Sequence, residues 1–542
     1  MELRIISRPL VLASIFLTVV SANAAAQSPT VGELEKRLEE MRSQLVTMQN
    51  RIAELEAANG IATTSDATDR TDAVVSESAA LSSPASPSPL RANEATNIEE
   101  PTSFQYKGLS LTPGGFLEGT TLFRARNENA DIANNFSAIP LNGSSNAHLS
   151  EFRGTARNSE LSLLIQGAAA STTLKGFVEI DFLGAAPTAN YVESNSWTPR
   201  LRQLWVQLDW PSGWTITTGQ TWSLLTTNRH GIATLAELRP GVQDGQYVVG
   251  FTWARQRTFR LTKNFNNKVW AAFAIESPET TYSATFVPAN IMGLNTSENA
   301  ASGVNLLPFL ANYSHGFSTS FAPDLVLKVA AEPGWGHVEF KAIGRFFRDR
   351  IATTATTSGR TNTTSGYGVG FGVLMPPATK TLEFSLEGLL GQGIGRYGTS
   401  ELPDATLHPT TGALRPLHQA SILGGLVYHA GSRFDVYAYG GDEYVSRDAL
   451  ISPDGTAAGY GSPLVNYTGC TNELALNSCG GANRNIYEAT VGYWYRLYRG
   501  ESGRIEQGNQ VAYIHRNLWS GIGTTPQGQD VVVFTSLRFY LP

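Results

Sequence analysis

The chain reads as an all-β transmembrane barrel of about 16 antiparallel strands, preceded by an N-terminal α-helical coiled coil. Three observations lead there: a composition poor in charge, short segments that alternate with period two, and connections that alternate between tight turns and long loops. Charged residues make up 16% of the 542, against roughly 25% in soluble domains. With 52 glycines and 10% aromatic residues, strand and turn formers are plentiful. Charges are too few for an ordinary water-facing surface.

Residues 1–26 read as an export signal. Arg4 and Arg8 give a basic start, "LVLASIFLTVVSA" an apolar core, and Ala22 to Ala26 offer small-residue cleavage sites. A membrane-anchoring helix needs roughly 17 to 25 apolar residues, more than this run supplies. No later apolar stretch is long enough to serve.

Residues 27–60 carry apolar side chains at Val31, Leu34, Leu38, Met41, Leu45, Met48, Ile52 and Leu55. The spacing alternates three and four, a heptad seam, and an isolated helix of this length is marginal unless it self-associates. The seam alone does not fix the number of chains. Residues 61–103, rich in Ser, Ala, Thr and Pro and without periodicity, read as a flexible linker.

Residues 104–542 hold the barrel. "FLEGTTLFR" leads into a long polar stretch; "SELSLLIQG" turns quickly into "LKGFVEIDFLG"; "RQLWVQLDW" turns through "PSG" into "WTITTGQTW". The rhythm continues to "VVVFTSLRFYLP", giving about sixteen strands, seven tight turns and eight long loops. That strict alternation marks outer-membrane barrels, and an even strand count puts both barrel ends on the periplasmic side. A propeller or β-helix would show a repeat, and none is found. In a bilayer every backbone N–H and C=O must be paired within the protein. The last strand should therefore pair with the first near "GGFLEGTTLF", and stop by Leu541, because Pro542 has no N–H to donate.

Alternation also assigns faces. It turns Leu174, Val178 and Ile180 to lipid, and Lys175, Glu179 and Asp181 to the lumen. By the same parity Glu339, Lys341, Arg345, Glu383, Glu387, Glu488, Arg496 and Arg538 point inward, a wet lining of both signs. Gly366, Gly368, Gly370 and Gly372 share the inward face, a bare wall against which a loop is expected to fold. Arg202, Arg255, Arg257 and Arg260 are read as lumen or rim residues, since an arginine facing lipid at mid-depth costs roughly 2 to 4 kcal/mol. Such arginines either select anions by forking onto carboxylate or phosphate, or merely balance Glu160, Glu179 and Asp181. Net charge does not choose: the chain has 40 basic and 46 acidic residues, and by difference residues 101–542 hold 32 of each.

Cys470 and Cys479, the two cysteines, lie in one glycine-rich loop where a disulfide would staple the tip. Eight histidines are scattered singly, with no HExxH and no GxSxG. The sequence thus gives no catalytic site, no metal site, no cofactor and no nucleic-acid signal.

"ARNSELSLLIQG", "LKGFVEIDFLG", "PRLRQLWVQLDW" and "GQTWSLL", following a coiled coil and a tether, resemble the DcaP-like trimeric porins of Gram-negative outer membranes. The resemblance covers the signal, coiled coil and first third of the barrel; later strands match in architecture. It implies a homotrimer with its coiled coil in the periplasm, and passive diffusion of small anionic solutes such as dicarboxylates. Arg157, Glu179, Asp181, Arg202 and Gln220 fall in the shared motifs. Where the family has a second basic residue after the serine, this chain has Glu160, which weakens the implied anion preference. A phosphate- or sugar-selective porin, and a barrel acting mainly as an envelope tether, are the alternatives. The terminal "LRFYL" also resembles the signal read by barrel-assembly machinery, and outer-membrane lipid is the expected surround.

Overall fold

The computed structural model describes Ser43 and residues 103–542, apart from 129, 131, 185–197, 289, 293, 295–317, 355–357, 376–380, 472 and 474–480. The chain divides into two units, Met1–Ala85 and Ser86–Pro542. Of the first, only Ser43, in a helix, is described. The export signal, the heptad seam and nearly all of the linker lie outside the described residues, as does Cys479.

Sixteen strands build the wall. In chain order they are β1 (Leu109–Arg124), β2 (Glu160–Ala169), β3 (Thr172–Gly184), β4 (Thr198–Asp209), β5 (Trp214–Trp222), β6 (Arg255–Phe265), β7 (Val269–Glu276) and β8 (Asp324–Ala331). The second half comprises β9 (His337–Ile351), β10 (Arg360–Met375), β11 (Leu382–Gln392), β12 (His418–Ala430), β13 (Phe434–Val445), β14 (Asn483–Gly500), β15 (Gly503–Leu518) and β16 (Gln527–Tyr540). Each pairs antiparallel with its neighbours in sequence.

β16 returns to β1, from Arg124↔Val532 to Phe116↔Tyr540. Beyond that ladder the Leu541 N–H donates to the Gly115 carbonyl at 3.1 Å. The sheet is closed and has no edge to expose.

Two details depart from the alternation read in the sequence. β1 begins at Leu109, earlier than "FLEGTTLFR", and its first residues pair back on a short strand, Phe104–Tyr106. A further strand, Glu151–Thr155, pairs with β1 above β2. Between Thr155 and Glu160, four residues stand opposite the three between Phe116 and Thr120. The four form a turn, closed by the Ser159 N–H on the Ala156 carbonyl at 3.2 Å, that breaks the ladder between the two strands.

The wall is inverted relative to a soluble protein. Large apolar side chains face out, Phe340 57% and Leu390 61% exposed, while Glu339, Lys341, Glu387 and Glu443 are buried inside. The reason is the period of two: on β9, Val338, Phe340 and Ala342 take one face, Glu339 and Lys341 the other. Exposed Trp214, Phe265, Trp335 and Tyr428 gather at the end of the barrel that carries the tight turns, as an aromatic girdle does. No helix among the described residues is long and apolar enough to cross a membrane.

Several long connections carry order that alternation did not reveal. Ala405–Leu407 pairs with Leu414–Pro416, and Asp448–Ile451 with Ala457–Tyr460. Cys470 is disulfide-bonded. The longest consequence belongs to the connection from β5 to β6, residues 223–254, which does not rise away from the barrel. Its Leu224, Leu225 and Ile232 pack on Ala272, Ala274, Val326 and Ala330 of the inner wall. Part of the core therefore lies between this loop and its own barrel, and further apolar clusters form under other long connections.

Candidate solute pathway

A chain folded into a lumen gives up water, so each of its backbone N–H groups must find another acceptor. Here inward carboxylates supply them. Glu276 of β7 accepts from the Leu224 N–H and the Ser223 hydroxyl, both at 2.7 Å. Glu387 of β11 accepts from the Thr252 N–H at 3.3 Å and from the Thr227 hydroxyl. Glu339 of β9 takes the Asn228 N–H at 3.1 Å, Glu443 of β13 that of Gly250 at 2.8 Å, and Glu488 of β14 that of Val249 at 2.9 Å. Gln510 of β15 accepts from the Gln243 N–H at 2.7 Å. Near the tight turns, Glu332 takes the Gly231 N–H at 2.8 Å and Glu383 pairs with Arg229 at 2.9 Å.

Two buried lysines complete this side. Lys328 and Lys341 lie 3.1 and 3.0 Å from Glu339. Lys328 also donates to the Thr226 carbonyl at 2.6 Å, and Lys341 to the Thr227 hydroxyl at 2.6 Å. Lys328 was not singled out in the sequence, although "LVLKVAAE" gives it the same parity as Val326. Of the four inward glycines, Gly372 lies against the inward loop, where a Cβ would meet Thr227, while a Cβ at Gly366 or Gly370 would meet neighbouring wall residues.

On the other side of loop 223–254 lies a cavity of about 250 Å³ between the loop and the wall of β1 to β4, β15 and β16. At its centre Arg202 is 2.7 Å from Glu179, 3.0 Å from Asp181 and 3.0 Å from Glu160. Its guanidinium also donates to the Tyr247 hydroxyl at 3.1 Å. A rigid fork of five donors suits such a ring of acceptors. Arg200 shares Asp181 at 2.7 Å, and Arg239 stands 3.7 Å from Glu160. Toward the tight-turn end, Arg538 pairs with Glu118 at 3.0 Å and lies over the rings of Phe116 and Trp494. Arg504 lies 4.1 Å from the Tyr540 ring centre. In the loop, burial pushes Asp244 up to about 6, against the pull of its Gln246 N–H bond and Arg124. Burial raises Glu237 as well, despite Arg260 and Arg239.

Of the residues chosen from sequence, Glu179, Asp181, Arg202 and Arg538 line this cavity. Others point inward but are spent elsewhere. Lys175 pairs with Asp209 at 3.0 Å, Arg345 with Asp324 at 3.1 Å and Asp404 at 2.7 Å, and Arg496 with Glu506 at 3.2 Å. Glu383, Glu387 and Lys341 hold the loop. Arg260 is buried, donating to the Trp222 carbonyl at 2.6 Å, while Arg255 stacks on Trp222 and Trp253.

Arg257 departs from the expected lumen position. It is exposed on the outward parity, opposite to buried Gln256 and Thr258, and donates to the Ser277 hydroxyl at 3.2 Å. Lying two residues from the long-loop end of β6, it avoids the depth at which an outward arginine is costly. Gln220, its partner in the β5–β6 ladder, faces out too, its amide on the Leu201 and Arg202 carbonyls at 3.2 and 3.0 Å. Sequence reasoning missed Arg239, Glu237 and Tyr247, all in the long β5–β6 connection, where no periodicity assigns a face.

No protein-family model matches the chain, and none of the curated proteins matches it. Among solved structures it is similar to the outer membrane channel DcaP of Acinetobacter baumannii, at 14% identity and a TM-score of 0.55, over 81% of this chain and 99% of that one. An anion-selective porin from Comamonas acidovorans aligns at 12% identity with a TM-score of 0.42, covering 80% of this chain and all of the other. OmpF of Salmonella typhi aligns at 9% identity and 0.41, over 81% and 100%. At these identities the likeness is one of fold, and the fold this chain shares with DcaP is the closed sixteen-stranded porin barrel.

Proposed function

We propose that this chain is an outer-membrane porin, a homotrimeric channel for passive diffusion of small hydrophilic anions of the dicarboxylate kind. The observation that carries the reading is the inverted wall: apolar outside, charged inside, closed without an edge, and narrowed by an inward loop. Arg239, Arg504 and Arg538 beside the cavity favour anions; the acids around Arg202 temper that preference. Residues 1–26 act as the export signal, the seam from Val31 to Leu55 assembles the trimer in the periplasm, and the last strand serves the assembly machinery. Cys479 is taken as the partner of Cys470.

Reversal potentials across planar bilayers in a salt gradient test the channel. Anion preference supports the proposal; cation preference overturns the anion reading, and absence of conductance overturns the porin and favours a tether. Deleting Val31 to Gly60 tests the seam: trimers that survive on gels unchanged would show that it does not hold them together.

A further inference from the structure

Many polar side chains around the cavity are matched to one another; besides the Gln243 amide and the Trp222 indole N–H, those without a partner among the described residues include Asn158 and Glu237. Asn158 is 6% exposed, and neither its amide oxygen nor its amide nitrogen has a hydrogen-bond partner among the described residues. Glu237 is 5% exposed, with Oε1 likewise unpartnered. Both line the cavity, as does Arg239. The Arg239 side chain is 37% exposed, and its 3.7 Å approach to Glu160 is looser than the 2.7 to 3.0 Å contacts around Arg202.

The placement of Asn158 is built into the wall. It lies in the turn between Thr155 and Glu160, facing loop 223–254. A Cβ at Gly245 of that loop would come within 3.2 Å of its amide oxygen. Leaving a buried amide and a carboxyl oxygen unbonded is expensive, so these atoms require polar partners from what occupies the cavity. A carboxamide both donates and accepts and a carboxyl oxygen accepts, so both suit hydroxyl groups, which do either. A guanidinium forks onto a carboxylate.

We infer that the cavity is a binding site for small hydroxycarboxylates, with the carboxylate on Arg239 and the hydroxyls on Asn158 and Glu237. The size allows it: about 250 Å³ is many times the space a single water needs, ample for a three-carbon hydroxy acid. The inference rests on the chain being an anion-conducting channel, and narrows it to a class of solute.

Conductance of the full-length protein in planar bilayers, with potassium glycerate, potassium propionate or potassium chloride, tests it. Glycerate conductance should saturate with concentration while propionate conductance rises linearly, and added glycerol should not compete. Asn158→Ala and Glu237→Ala should each raise the half-saturating glycerate concentration on the order of tenfold. Glu237→Gln, which keeps the acceptor oxygen, should stay within about twofold. Chloride current in the same recordings reports whether each variant has inserted. Linear glycerate conductance beside normal chloride current, or competition by glycerol, overturns this site and leaves the porin standing. Lack of current in every salt overturns both.

Discussion

Gly372 on β10 and Thr227 in the inward loop stand so close that a Cβ on the glycine would lie 2.6 Å from the Thr227 methyl carbon. The loop lies between that wall and the cavity, so a side chain at 372 must push it toward the passage. Gly372→Val is expected to lower single-channel conductance. Gly119→Val, where an added Cβ meets nothing within 4 Å, should leave it unchanged. Equal conductance in the two variants would mean that the loop does not set the passage.

Glu443 holds three groups at once, the Gly250 N–H, the Thr399 hydroxyl at 2.9 Å and the Ser400 N–H at 3.2 Å. Glu443→Ala strands the two N–H groups, at about 1 to 3 kcal/mol for each buried group left unbonded, while the Thr399 hydroxyl keeps the Val248 carbonyl at 2.8 Å. Thermal unfolding in detergent should shift down by several degrees, and by far less for Glu501→Ala in the exposed β14–β15 turn.

Arg202 is the cation that three carboxylates share. Arg202→Met should destabilise the barrel by about 3 to 5 kcal/mol, because breaking a buried ion pair leaves charge uncompensated. In protein that still inserts, the reversal potential should move toward cations. A potential that stays fixed would place the ions' path away from this cluster.

Glu128 gives a pH dependence with a defined sign. Burial raises it from 4.5 to about 8, although Arg124 and the Asn135 N–H pull it down. Between those values the folded protein binds more protons than the unfolded chain, so this group's contribution to stability falls as pH rises and levels off above about 8. Protease cleavage within residues 125–150 should therefore increase from pH 5 to 8, and Glu128→Gln should flatten the profile. A profile identical in both proteins would remove Glu128 as its source.

Strand count and closure were legible because a period of two is local: a dozen residues are enough to see Leu382, Phe384 and Leu386 alternate with Glu383, Ser385 and Glu387. The same alternation separates Arg257 from Arg260, and it outweighs the argument from membrane cost, which holds only at depth. The anchoring of the inward loop was not legible. Glu276, Glu387, Glu443 and Glu488 sit on four strands and acquire a common role only when the sheet curls round a segment with no pattern of its own. Nor does a sequence reveal that Asn158 sits where the ladder breaks between Thr155 and Glu160, since the break is defined by the partner strand.

The bond from Leu541 to Gly115 also has a consequence in time. The ladder that seals the wall joins the earliest strand to the latest, so no earlier portion of the chain can form a closed cylinder. Until β16 is available, β1 and β15 both carry unpaired backbone, and a half-finished sheet placed in lipid would expose it. Loop closure over such a span is slow. The nascent barrel therefore needs its open flanks sheltered until the final strand arrives, and a helper that grips β16 would release the protein at the moment it is sealed.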